Sequence, residues 1–144
     1  MSLVSDVITR LEAIDEPPFR IVDGAAAFSA VKDKPRALPA AYVFVKEEAS
    51  SPTERMTGPV LQRVETDLAV LIIAGNVSDA RGAAASADID VLKDAVRAAL
   101  VGFVPDASNG EPMQHLSGQL VKVTGGTVWF EDLYAAVTYL QEQS

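Results

Sequence analysis

The chain has 144 residues, 49% hydrophobic and 22% charged, with 20 acidic against 12 basic side chains and a formal net charge of −8. This is the length of one ordinary domain with ample material for a core, and the acidic balance argues against wrapping nucleic acid, which needs Lys and Arg aligned along phosphates. With no cysteine, disulfides, thiolate catalysis and cysteine zinc sites are excluded.

Leu3, Val4, Val7, Ile8, Leu11 and Ile14 recur at one, three and four residues, which predicts a helix with one apolar face. Ser2 is its N-cap, and Pro17-Pro18 stop it because neither donates an amide hydrogen. The start lacks the basic and continuously apolar character of a signal peptide. The longest strongly apolar run, Leu68–Ala74, is far short of the roughly 20 residues that span a bilayer, so the chain reads as soluble and used in a cytoplasm. A short strand is expected over Phe19–Val22. Gly24–Pro39 reads as a loop with one helical turn. Ala41–Lys46, rich in Val, Phe and Tyr, reads as a strand, and the polar Glu47–Pro59 as an exposed loop or hairpin tip.

From Val60 to Ala74, one alternate set of residues is mostly apolar throughout. The other runs Leu61, Arg63, Glu65, Asp67, Ala69, Leu71, Ile73. Period two places the sets on opposite faces of a long strand whose second half is buried on both. A turn over Asn76–Gly82 precedes a helix that starts between Ala83 and Asp88. Ile89, Leu92, Val96, Leu100 and Phe103 form its single stripe, Asp90, Lys93, Asp94 and Arg97 take the other side, and Pro105 ends it. After a loop over Asp106–Pro112, strands at about Met113–Val123 and Thr127–Tyr139 flank Gly125-Gly126, a pair suited to a tight hairpin turn. No internal repeat or boundary divides residues 1–144. The expected fold is α+β: a two-layer sandwich, mainly an antiparallel sheet, with two helices packed on one face.

Chemistry is hard to find. His115 is the single histidine, and the sequence offers it no recognised carboxylate or nucleophile partner. Asp15-Glu16, Glu47-Glu48, Glu65/Asp67, Asp88/Asp90 and Glu131-Asp132 bring carboxylates close together. Asp88 and Asp90 suit the positive end of a helix. Glu65 and Asp67, sharing a face with Arg63, read as an exposed polar face or subunit contact, with a weak divalent-cation site between subunits as the alternative. Trp129 and Phe130 point to opposite faces of one strand. The glycines form no phosphate-cradling loop. No catalytic residue, cofactor site or metal site is assigned.

Several segments carry a resemblance across nearly the whole chain: the helix Leu3–Ile14, the strand start Pro39-Ala40-Ala41-Tyr42-Val43, and the long strand Gln62–Ala74. They continue through Asn76-Val77-Ser78-Asp79-Ala80-Arg81-Gly82, the helix ending Val96–Pro105, and a closing hairpin with Gly118-Gln119-Leu120, Val128-Trp129 and Tyr134–Tyr139. In this order they resemble the tail terminator proteins of long-tailed phages and prophages, the minor tail U-like subunits. The resemblance implies a virion protein without enzymatic activity, assembled in the host bacterial cytoplasm. It would form a six-membered ring at the head-proximal end of the tail tube, stop tube polymerisation and meet the head connector. Its partners would be itself, the tube protein and the connector proteins, with DNA only as passing cargo and no membrane; the acidic excess of the chain would then line the channel. Arg63, Glu65, Asp67, Glu47, Glu48 and Arg55 are then the candidates for ring or tube contacts. Two other readings stay open: another head–tail neck component, or a small α+β ligand-binding or enzymatic protein whose site forms between subunits, with His115 and a carboxylate.

Overall fold

A computed structural model describes residues 2–14, 19–32, 34–75, 83–108 and 110–142, the side chains of 83–87 excepted. The elements are α1 (Leu3–Glu12), β1 (Ile21–Gly24), α2 (Ala25–Ser29), β2 (Ala40–Ser50), β3 (Leu61–Gly75), α3 (Ala83–Leu100), β4 (Gln114–Thr124) and β5 (Thr127–Gln141), with a 3-10 turn at Asp106–Ser108. The five strands form one sheet in the order β1-β2-β3-β5-β4. The fold is α+β, as expected. The predicted stop at Pro17-Pro18 and the turn at Asn76–Gly82 lie outside the described residues.

Ser2 caps α1: its Oγ accepts from the Ser5 amide at 3.1 Å, and Ser5 Oγ accepts from the Ser2 amide at 3.2 Å. This reciprocal pair satisfies amides that the first helical turn leaves free. Leu3, Val7 and Leu11 of α1 and Ile89, Leu92, Val96 and Leu100 of α3 pack on one sheet face. They meet Ala41 and Val43 of β2, Leu68, Val70 and Ile72 of β3, and Val128 and Tyr134 of β5. The opposite face is partly covered too. There Phe28 of α2 stacks on Phe44 (5.9 Å between centroids) and tilts against Tyr42 and Trp129, with Val31 and Leu38 beside it. The single helical turn expected in Gly24–Pro39 is therefore a third helix, held by a second, smaller core.

Several boundaries moved, each for a physical reason. β1 runs parallel to β2, because the segment from α2 to Pro39 is long enough for a crossover; every other pairing is antiparallel. β2 continues through Glu47 and Glu48 to Ser50, where a loop was expected. Backbone pairing with Val64–Asp67 of β3 carries the polar residues. α3 stops at Leu100, ahead of Pro105. Gly102 adopts φ +84°, the left-handed conformation that terminates helices, and its amide bonds to Met113 O at 2.8 Å. The closing turn is as expected: Gly125 and Gly126 both have positive φ, the requirement of a two-residue hairpin turn.

Gly118 on β4 lies directly across from Asp132 on β5. A Cβ there would come within 2.9 Å of both the Asp132 carboxylate and the Phe130 ring, and that carboxylate is held by three side chains. Gly118→Ala should therefore lower stability by about 1–3 kcal/mol, measured by chemical denaturation. An unchanged midpoint would show that the ring and the carboxylate yield freely.

Candidate assembly surfaces

The half of the sheet farthest from α2 leaves one face open. Arg63, Glu65 and Asp67 of β3 share that face by strand alternation, while the intervening Val64 and Thr66 are buried on the helix side. Asp67 pairs directly with Glu47 of β2, so the two carboxylates stand side by side on the same face, an unfavourable like-charge pair. Glu48 pairs with Thr66 and so points to the other side, away from the cluster. Arg55, in the β2–β3 loop, donates to Pro59 O at 3.3 Å and lines a depression with Arg63 and Tyr139. Of the six candidates, five thus share one surface and Glu48 does not. Among the described residues, no lysine or arginine forms an ion pair with Glu47, Glu48 or Asp67.

Two members of this surface carry no local sequence signal. Glu111, from the α3–β4 loop, accepts from Arg63 Nη2 at 3.1 Å and from the Tyr139 hydroxyl at 2.8 Å, while Arg63 Nη1 reaches Glu65 at 2.6 Å. Hydrogen bonds from Tyr139 and Arg63 hold the Glu111 carboxyl below its ordinary pKa. Bonds to Glu111 and Glu65 hold the Arg63 guanidinium more firmly charged. The bond to Glu111 likewise raises the Tyr139 hydroxyl. Arg63, Glu65 and Glu111 border a groove of about 280 Å³ with Asp67, Gln114 and Leu116. The hydrogen bonds fix where the charges stand, and with these side chains still partly open to water they add little to stability.

His115 does acquire a carboxylate, and it is a buried one. Its Nε2 lies 3.0 Å from Oδ1 of Asp132, which is fully buried. Arg97 of α3 grips both carboxylate oxygens (Nε to Oδ2 3.0 Å, Nη2 to Oδ1 2.8 Å), and the Tyr134 hydroxyl donates to Oδ2 at 2.8 Å. Arg97, expected on the outer side of its helix, instead flanks the apolar stripe and ties α3 to β5. Burial pushes the Asp132 carboxyl up, but bonds from Arg97, His115 and Tyr134, with the Arg97 charge, bring it below the ordinary range. Burial and the neighbouring carboxylate raise Tyr134. A carboxylate so fully bonded pins the two layers together, and the histidine completes its shell.

The sheet also ends in an open edge. Among the described residues β4 has β5 on one side and no strand on the other, and every residue of it except His115 is exposed. Register shifts at Leu116 and at Val121 mark two bulges; both side chains are exposed, as are Leu120 and Val123. Bulges blunt an edge against indiscriminate strand pairing and re-aim side chains. Among the described residues no helix is long and apolar enough to cross a membrane, and no three His, Asp or Glu residues gather as metal ligands.

With this geometry, comparison with protein families matches residues 2–143 to the phage tail terminator protein. The chain belongs to the phage tail terminator family. It is thus a structural protein of the phage tail and resides in the virion. Among solved structures, a chain of "Virion of native gene transfer agent (GTA) particle" is similar, with a TM-score of 0.61 and 18% identity over 96% of each chain. At that identity the likeness speaks for the fold. No curated protein matches. The matched residues take in all five strands of the sheet, including the edge strand β4 and the polar half of β2–β3.

Proposed function

We propose that this terminator forms a closed, six-membered ring on the head-proximal end of the tail tube. The ring stops addition of tube protein, offers its other side to the head connector and lets DNA pass through. It acts by shape and contact, with no chemical step. The observation that carries the reading is the family match over residues 2–143. The surfaces support it: a cyclic ring needs two unlike patches on each subunit, and this chain has an open charged half-sheet and an unpaired sheet edge. Arg63, Glu65, Asp67, Glu47 and Arg55 contribute to the ring or tube contact, and Glu48 lies beside them on the reverse face.

The test is polymerisation of purified tail tube protein with and without the chain, followed by negative-stain imaging. Expected are tubes of arrested length with a ring at one end, and a bound hexamer of the 15.2 kDa subunit by native mass spectrometry. Tubes that lengthen equally in both samples would overturn the proposal. Tight, salt-sensitive DNA binding by the purified ring would contradict passive passage.

A further inference from the structure

Lys32 and Lys34, between α2 and β2, and Lys122, on β4, line one depression of about 360 Å³ with Thr124, Gly125 and Thr127. All three lysines are exposed, and among the described residues none has an ion-pair partner. Asp33, between the first two, lies outside the described residues. Lys122 is held in place: its ammonium sits 4.1 Å over the ring of Trp129, itself buried. In a chain of net charge −8, this is a local concentration of positive charge. The unpaired carboxylates Glu47 and Asp67 are its counterpart on the open half-sheet.

The two patches cannot meet within one chain. Lys122 pairs with Trp129 and Asp67 with Ala135. Along β5 these points are about 20 Å apart, at about 3.3 Å per residue. Unlike patches, one near the hairpin end of the sheet and one midway along β3, are what a head-to-tail contact can join. Identical acidic chains also repel one another unless their contacts pair opposite charges. A run of DNA is a poorer match, because phosphate binding draws on a row of cations and this is a single spot.

Resting on the ring reading above, we propose that Lys32, Lys34 and Lys122 of one subunit receive the Glu47 and Asp67 carboxylates of the next, as the charged contact that closes the ring. The pairing supplies register and choice of partner more than affinity.

The experiment mixes isotopically heavy and light protein, alone and on tail tubes, and applies a zero-length carbodiimide cross-linker. Heavy–light cross-links should join peptides carrying Lys32, Lys34 or Lys122 to those carrying Glu47 or Asp67. The triple variant Lys32→Glu, Lys34→Glu, Lys122→Glu and the double variant Glu47→Lys, Asp67→Lys should each associate at least tenfold more weakly while keeping the wild-type circular dichroism. Mixed in equal amounts, they should assemble again, because an alternating even-membered ring restores opposite charges at every contact.

Heavy–light cross-links lying elsewhere, no cross-links at all, or failure of the mixture to recover would overturn the contact. Loss of DNA retention in the triple variant with association unchanged would overturn it in favour of a phosphate site. Tubes still capped by rings cross-linked elsewhere would sink this contact and leave the terminator reading standing. Patch-to-patch rings that leave tube growth unaffected would sink the terminator reading instead.

Discussion

Replacing Asp132 by asparagine should cost about 3 kcal/mol of stability, the lower end for breaking a buried ion pair. The amide keeps the volume but loses the charge, and it presents one acceptor where two oxygens now receive bonds from Arg97, His115 and Tyr134. The lower end applies because the Arg97 side chain is 35% exposed and can regain water once its partner is neutral. Tyr134, fully buried, has no such escape, and an unmet buried hydroxyl adds to the loss. The same group sets a pH dependence. Its carboxyl is below its ordinary pKa in the folded chain, so its stabilisation is fully present above the unfolded value of about 3.9. That contribution fades as pH falls from there through the folded value. Denaturation midpoints of the wild type and Asp132→Asn, taken from neutral pH downward, should converge in acid. A constant gap between them, or a variant as stable as the wild type at pH 7, would refute this role.

The second large effect separates folding from assembly at two consecutive residues. Leu68 is fully buried between the helix layer and the sheet, with Val45 and Tyr134 as its cross-strand neighbours. Leu68→Ala should cost about 3–4 kcal/mol through lost burial and the cavity left behind. Asp67 points the other way, beside Glu47. Asp67→Lys replaces a like-charge pair by an opposite one and should change stability by less than about 0.5 kcal/mol. It should nonetheless weaken ring formation and tube capping. The check is a thermal melt of each variant with a tube-length distribution from the same preparation. Unchanged capping by Asp67→Lys would remove this face from the assembly contact.

The long strand shows how much of the surface could be read in advance. Alternation placed Arg63, Glu65 and Asp67 on one face, because side chains on a strand must alternate whatever surrounds it. Sequence alone also marks Glu47, but as part of a loop. Its position opposite Asp67 follows from strand register, which is a property of two segments together. Glu111 and Tyr139 carried no signal, since each is an ordinary residue until the fold brings it to Arg63 across tens of positions. His115 had no visible partner for the same reason: Asp132 was legible only as half of an adjacent acidic pair.

By itself the sequence determined what depends on neighbours along the chain. Helix α1 and its serine cap, the stripe of α3, the half-polar strand β3 and the diglycine turn rest on local backbone geometry and on hydrophobic period, and the α+β class follows from their order. The tertiary structure decided what depends on long-range pairing. It added the second core under α2, turned Arg97 inward to a buried carboxylate, left β4 as a bulged edge, and set three lysines near the hairpin end of the sheet and two carboxylates side by side midway along it. Buried charge is tolerated only where partners converge on it, and surface patches form from residues distant in sequence. Neither is specified until the strands have chosen their register.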